Sequence, residues 1–345
     1  MRFAFTDDQR GFRDSLRDML AKECPPKAVR AAWLSDDGRV PGLWPKLGEM
    51  GLLGVLAPAE HGGLGLGEVD LVLPLEEAGR AALPGPLIEH AAVAVPLLDA
   101  FSPSVASARW LAAAAGGEIS LTAAVDGDPL VANADSADVL LLRRGDALHA
   151  LARDRVELTR QTSVDGARRL FTVEWEGSAE TELARGDAAR EALARAFDRG
   201  AFAASAVLLG LSAAALELTV GYVTVREQFG KPIGSFQAIK HQLANALTAL
   251  EMARPLVHRA AWSLASGDAD ASLHASIAKA RASTASHAVA RAALQCHGAI
   301  GYSTEYDLHL WMKRIWALGS AWGDPGFHRR RIAARVIDGA EQVYP

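Results

Sequence analysis

The sequence predicts a mainly α-helical chain with a small β domain set between two helical parts. Three observations predict it. Residues 202–225 are rich in Ala and Leu and free of proline, which suits a buried helix. Around Gly116 the texture changes to short β-favouring runs separated by Gly and Asp. From residue 184 onward a helical texture returns and holds to the end. Helices, then strands, then helices is a segregated order, so no doubly wound βαβ sheet is implied. The expected domains are residues 1–115, 116–182 and 183–345.

A chain of 345 residues, half of them apolar, can bury a core of two or three layers or domains. A net charge of −5 argues against general nucleic-acid binding. Two cysteines, Cys24 and Cys296, make no disulfide framework and fit a reducing cytoplasm. The first ten residues hold no signal-peptide core and no apolar run reaches membrane-span length, so no membrane is expected.

Along the chain, Thr6 opens T-D-D-Q, a capping-box start with Gln9 three residues on. Phe12, Leu16 and Leu20 mark one helical face; Trp44, Leu47 and Met50 mark another, stopped by Gly51. Residues 57–67 are glycine-rich but lack G-x-G-x-x-G after a strand, so they are no dinucleotide fingerprint. They form either a loop that closes over a ligand or a connector. Residues 69–83 and 87–101 read as two helices split by Pro84-Gly85-Pro86. Strands are expected at 119–125, 139–143, 147–151, 155–159 and 169–175, with helix again at 184–199.

Residues 223–254 read as the end of one helix, a sharp turn at Gly230 and Pro232, and a second helix that starts near Phe236 and can be capped by Ser235. There Gln237, His241, Asn245 and Thr248 form a polar stripe opposite Ile239, Leu243, Leu247 and Leu250. Arg226 stands just before the turn, beside Phe229 and Lys231. A cation and an aromatic ring at a helix end could hold the pyrophosphate and adenine of a dinucleotide. On the residues alone, a helical hairpin with solvated charges is the plainer reading.

The words of this segment add to that. R-E-Q-F-G-K-P-I-G-S-F-Q-A-I-K-H-Q-L-A, residues 226–244, resembles the signature of the acyl-CoA dehydrogenase family, and so does Q-C-H-G-A-I-G-Y-S-T-E-Y, residues 295–306. The resemblance covers residues 1–115 and 197–340 well and the middle poorly. It implies an N-terminal helical domain, a middle β domain that is reduced here, a C-terminal four-helix bundle that builds the oligomer, FAD as cofactor and an acyl-CoA substrate. In the family P-A-E-H-G-G-L-G is the usual loop between N-terminal helices, which favours the connector reading of 57–67.

The family reaction removes a proton from Cα and a hydride from Cβ of the acyl group. The α-proton is weakly acidic and needs a nearby carboxylate and a polarised thioester carbonyl. The hydride passes to the flavin N5. Most members carry the base in a Y-E-G-T segment. Aligned here, that segment is Ala321-Trp322-Gly323-Asp324, so an indole, which accepts no proton, stands in the glutamate's place. The alternative base position falls near Gly200 and Ala201, which carry no carboxylate either. Asp198, two residues away, would face another side of its helix. Asp324 lies in a Gly/Pro-rich turn, where aspartate usually serves the backbone; it stays as a weak candidate base. The middle domain also departs from the pattern: residues 119–128 read I-S-L-T-A-A-V-D-G-D where the family has T-E-P-x-A-G-S-D, and nothing matches K-x-W-I-T.

By the resemblance, Arg226, Gln228, Phe229, Gln295, Gly298 and Gly301 are the residues one subunit extends to the FAD pyrophosphate and AMP of its partner, with Ala299 replacing a second glycine. The chain resembles the base-lacking subunit of actinobacterial α2β2 steroid acyl-CoA dehydrogenases. The partners this implies are a catalytic sister subunit, a bulky acyl-CoA and an electron-transfer flavoprotein. Two other readings stay open: a self-sufficient homo-oligomer using Asp324, and a flavin-free scaffold. No metal is expected, because His297 beside Cys296 has no second pair at ligand spacing. The basic run 328–331 reads as a solvated or interfacial face, or as one that meets anionic phosphates. Trp311 and Trp316 read as core or subunit interface.

Overall fold

A computed structural model describes residues 4–101, 105–125 and 129–339. Asp126, Gly127 and Asp128, the end of the stretch set against the family's flavin-contacting segment, lie outside the described residues. The chain opens with α1 (Asp7–Glu23), whose capping box forms as expected: Gln9 N donates to Thr6 Oγ1 at 3.2 Å and Thr6 N to Gln9 Oε1 at 2.9 Å. Then come α2 (Pro26–Leu34), α3 (Leu43–Glu49) and α4 (Glu68–Arg80). A wide π-type turn, Ile88–Ala94, runs into α5 (Val95–Asp99), and α6 (Val105–Ala115) follows. The helix expected over 87–101 is thus two pieces, and α2 and α6 were not singled out by periodicity. The glycine-rich segment is bonded to its own neighbourhood: Leu64 N donates to Gly54 O at 2.9 Å and Gly65 N to Ala57 O at 2.8 Å. These bonds tie the segment to residues 54–57 of its own neighbourhood, in keeping with the connector reading.

Seven short strands follow: β1 (Leu121–Ala124), β2 (Leu130–Ala132), β3 (Val139–Arg144), β4 (Ala147–Ala152), β5 (Val156–Gln161), β6 (Leu170–Trp175) and β7 (Glu182–Arg185). One sheet has the order β1-β3-β4-β7 with β1 parallel to β3; the other is β2-β6-β5 and antiparallel. The five expected strands are present. The two unexpected ones, β2 and β7, have three and four residues, too few to show alternation. Ala184, expected in a helix, belongs to β7.

The rest is helical. α7 (Gly186–Val225) runs unbroken for 40 residues through both segments read as separate helices. By length and composition it could cross a membrane, contrary to the expectation that no run reaches that length. Its most apolar window is 78% buried inside the protein, as in a core helix. A two-stranded hairpin, β8 (Glu227–Gln228) and β9 (Lys231–Pro232), leads into α8 (Gln237–Ala265), α9 (Ala271–His297), α10 (Leu308–Ser320) and α11 (Pro325–Val336). α7, α8, α9 and α10 pack into a bundle, α11 lies on α9, and α4 crosses α7. Ser235 does not cap α8: it sits in a 3-10 turn, and Phe236 takes the cap position with no side-chain bond. Of the apolar stripe on α8, Leu250 is buried and Leu243 is partly covered, but Leu247 is 48% exposed.

His90 fastens the N-terminal helices to the sheet. Its Nδ1 accepts from Leu121 N at 2.9 Å, which puts the proton on Nε2, 3.2 Å from Ala114 O. Burial pushes its pKa down to about 3, and burial does the same to His328 in α11, also to about 3. Both rings are neutral in the fold and protonatable once unfolded, so the unfolded chain binds more protons between pH 6.5 and 3. The stability they contribute is therefore present above 6.5 and lost as pH falls, on the order of 5 kcal/mol each at the acid limit. Urea unfolding free energies should decline between pH 6.5 and 4.5, and His90→Gln should flatten that decline.

Candidate functional site

The turn between α10 and α11 carries the residue that stands where the family has its base. Trp322 has φ +57° and Gly323 has φ +84°. A tryptophan in the left-handed region is strained and persists only where its surroundings hold it. Three groups hold it. Lys279 of α9, fully buried, donates from Nζ to Gly319 O at 3.1 Å, Gly323 O at 3.0 Å and Ser283 Oγ at 3.0 Å. Burial brings this lysine's pKa down to about 7, with Arg168 adding to the effect. His328 donates from Nε2 to Trp322 O at 2.8 Å. Asp324 caps α11, its Oδ1 accepting from Phe327 N at 2.6 Å.

These fixtures set the indole, 6% exposed, directly on Gly200 of α7; a Cβ built on Gly200 would lie 2.3 Å from the ring. The two positions where a base was sought therefore meet in space and fill one another. Asp324 does not substitute. The Phe327 backbone N–H holds its carboxyl below the usual range, so it is a weak proton acceptor engaged as a cap. Asp198 is buried and bonded to Arg331 at 2.9 Å; burial pushes its pKa up. It lines a separate cavity of about 460 Å³ between α7, the α8–α9 loop and α11. Trp322 lines another. The basic run 328–331 is half inward, which corrects its reading as a surface face: His328 and Arg331 are buried, while Arg329 and Arg330 are exposed. Trp311 is core, donating from Nε1 to Arg80 O at 2.9 Å, and Trp316 is half-buried.

The cavity that Trp322 lines lies between the sheets and the end of α10 and holds about 210 Å³. Its sheet side is small and apolar: Ala123, Ala124, Leu130, Ala132 and Leu170. Its polar lining is Ser320 and an ion pair, Arg168 Nη1 to Glu89 Oε1 at 2.9 Å, whose carboxylate end is buried. The hydroxyls of the adjoining strand serve the chain's own backbone. Thr122 Oγ1 donates to Ala132 O at 2.6 Å and Ser120 Oγ to Ser136 O at 2.6 Å. Ligand pockets usually run to about 300–1,000 Å³. This cavity is smaller, walled on one side by a charged pair and without a free hydroxyl donor from that strand, so it does not fit a flavin ring. Lys279, Glu89 and Arg168 were invisible in the sequence. The pairing spans 79 residues, and the lysine sits singly in an Ala/Ser-rich helix.

The nucleotide-binding candidates lie elsewhere. The β8–β9 hairpin turns on Phe229 (φ +56°) and Gly230 (φ +77°), the pair of left-handed residues that a tight two-residue turn of type I′ needs. That turn holds the Phe229 side chain 91% exposed. Lys231 Nζ lies 4.4 Å above the Phe236 ring. Arg226 and Gln228 are exposed, and the Arg226 guanidinium makes no hydrogen bond or ion pair to the described residues. At the end of α9, Gln295 is exposed and Gly298 has φ +65° with open space where a Cβ would be. Gly301 is buried, its missing Cβ 3.0 Å from His297 Cβ. The two segments share one end of the bundle: Tyr222, four residues before Arg226, stacks on His297, two residues after Gln295. None of the six candidates lines the 210 Å³ cavity. A free cation, an outward ring and an open glycine backbone fit the phosphates and base of a nucleotide. Among the described residues no group of three or more His, Cys, Asp or Glu side chains could hold a metal ion.

Comparison with known proteins bears on the family and the fold. Residues 6–118 match the model of the acyl-CoA dehydrogenase N-terminal domain, and residues 190–337 that of the acyl-CoA dehydrogenase C-terminal domain. The chain is 33% identical over 333 residues to acyl-CoA dehydrogenase IpdE2 of Mycolicibacterium smegmatis, covering 96% of this chain and 100% of that protein. It is 31% identical to IpdE2 of Mycobacterium tuberculosis, covering 96% and 98%. Among solved structures it is similar to the ChsE4-ChsE5 complex from Mycobacterium tuberculosis, with a TM-score of 0.88 and 25% identity over 97% of this chain and 99% of that one. It is also similar to a variant of the Tcur3481-Tcur3483 steroid ACAD, with a TM-score of 0.87 and 26% identity over 97% and 99%. Fold, signature segments and relatives converge: the chain belongs to the acyl-CoA dehydrogenase family, whose members are FAD-dependent flavoproteins.

Proposed function

We propose that this chain is the base-lacking subunit of a heterotetrameric acyl-CoA dehydrogenase and that it clamps the AMP and pyrophosphate of an FAD held by a catalytic sister subunit. The observation that carries the reading is the seating of Trp322 on Gly200, which leaves neither base position with a carboxylate. The small cavity beside Trp322 and the outward clamp, which shares no residue with it, both support the reading. In this reading Arg226 pairs with the pyrophosphate oxygens and Phe229 lies against the adenine. Gln228, Gln295 and the backbone at Gly298 and Gly301 complete the grip. FAD supplies hydride acceptance when bound in the sister subunit. The carboxylate that removes the α-proton comes from that subunit, and an electron-transfer flavoprotein takes the electrons onward.

The substrate class we assign is a bulky acyl-CoA derived from a steroid side chain. The support is the likeness to a steroid ACAD and to a heteromeric complex. The reading places the assembly in the cytoplasm, where Cys24 and Cys296, both buried, remain thiols. The test is bound FAD per chain together with native mass, for the chain alone and co-expressed with a longer family member that carries Y-E-G-T. One FAD per two chains, found only in the mixed complex, is expected. One FAD per chain in the protein alone would overturn the reading in favour of a self-sufficient oligomer. Colourless complexes throughout would leave a flavin-free scaffold.

A further inference from the structure

We infer that Tyr222, His297 and Tyr306 form a positioning stack that fixes the spacing between the two halves of the nucleotide clamp. The inference rests on the clamp reading above. Tyr222 lies in the last turn of α7, and its carbonyl accepts the Arg226 N–H at 2.9 Å. His297 ends α9, between Gln295 and Gly298. Tyr306 stands just before α10. The Tyr222 and His297 rings stack with centroids 4.4 Å apart and planes 22° apart. Tyr306 closes the group from another side, 5.0 Å from His297 and 5.9 Å from Tyr222. One group of three rings therefore touches the base of the hairpin, the turn after α9 and the entry to α10.

The histidine acts here as a flat ring rather than as a charge. Its Nδ1 donates to Ala293 O at 2.8 Å, one helical turn back, which fixes the ring's orientation. The side chain is 5% exposed, and Nε2 has no partner among the described residues. Burial lowers its pKa, so the ring is neutral and adds no charge to a phosphate site. The residue's contribution is geometric. The 295–301 turn folds against it, as the 3.0 Å approach of a Gly301 Cβ shows. Residues 226–229 and 295–301 lie some seventy positions apart in the sequence. A ligand gripped from both needs them held to within about 0.5 Å, and the stack is where they are joined.

The experiment uses the complex of this chain with its catalytic partner, stripped of FAD and titrated with FAD by flavin fluorescence. Native mass and melting temperature are read alongside. Arg226→Ala tests the clamp itself and is expected to weaken FAD roughly tenfold, the loss of one charge-assisted contact. His297→Ala is expected to weaken FAD by a similar factor, with the complex still assembled. His297→Phe, which keeps a flat ring and removes the unpaired buried acceptor, is expected to hold FAD within about twofold of the parent and to melt no lower. Unchanged FAD affinity in His297→Ala beside a weakened Arg226→Ala would overturn the stack and leave the clamp standing. Unchanged affinity in Arg226→Ala would remove the clamp reading and the stack with it. A His297→Phe variant as weak as His297→Ala would show that the ring nitrogen matters, and the stacking account would fail. If His297→Ala does not fold, Tyr306→Leu, at a half-buried position, takes its place with the same expected loss.

Discussion

Gly210→Ala should destabilise the protein by about 3 kcal/mol or more. The cause is the crossing of α4 and α7, where the two helices touch backbone to backbone. A Cβ on Gly210 would lie 1.8 Å from Glu76 O, and one on Gly79 would lie 2.2 Å from Val207 O. No rotamer relieves a clash between a Cβ and a main-chain oxygen, so the helices must separate. Separation strips packing from the fully buried Leu75, Leu208 and Leu211 nearby. Gly221, in the same helix, is the control. It is exposed and has nothing within 4 Å of its Cβ position. There alanine should be neutral or stabilising by up to about 1 kcal/mol, because glycine is the poorer helix former. Chemical denaturation of the two variants separates steric crossing from helix propensity. Equal effects would show that the crossing tolerates a methyl group and that helix propensity alone decides.

Trp322→Glu restores the family carboxylate and should still produce no second active site. In a mixed complex, turnover per FAD and FAD per chain should stay at the parent values, while this subunit loses about 3–5 kcal/mol of stability. The indole fills the notch over Gly200, so a glutamate there leaves a void and places a charge among Phe197, Phe327 and His328. Lys279, buried beside this turn, already donates to three oxygens. The ring cavity beyond remains small, with Arg168 and Glu89 across it. A doubling of bound FAD, or new activity from this subunit alone, would mean that only the base was missing.

Much of the architecture could be read from residues in order, because it is written in local signals. The Thr6 capping box, the Ala- and Leu-rich run of α7 and the Gly-punctuated strands all depend on neighbours within a few positions. The nucleotide-binding candidates were legible for a different reason: two uninterrupted segments, 226–244 and 295–306, carry a family wording. The boundaries failed where length removes periodicity, as in β2 and β7, or where one helix absorbs a glycine without breaking, as α7 does at Gly200. The cavity beside Trp322 was not legible at all. Trp322 could be assigned to the base position, but its seat on Gly200, the lysine beneath it and the arginine opposite come from α7, α9 and the loop before β6. Such an arrangement exists only once the chain has folded.

The seat of Trp322 on Gly200 also has a bearing on reversibility. The two positions are mutually epistatic. Any side chain on Gly200 strikes the indole while the tryptophan remains, and any small or charged residue at 322 leaves a hole while the glycine remains. A single substitution from either end passes through a less stable protein, so a carboxylate is regained at either position only across a stability valley. A base position that has been packed into the core this way behaves as a ratchet.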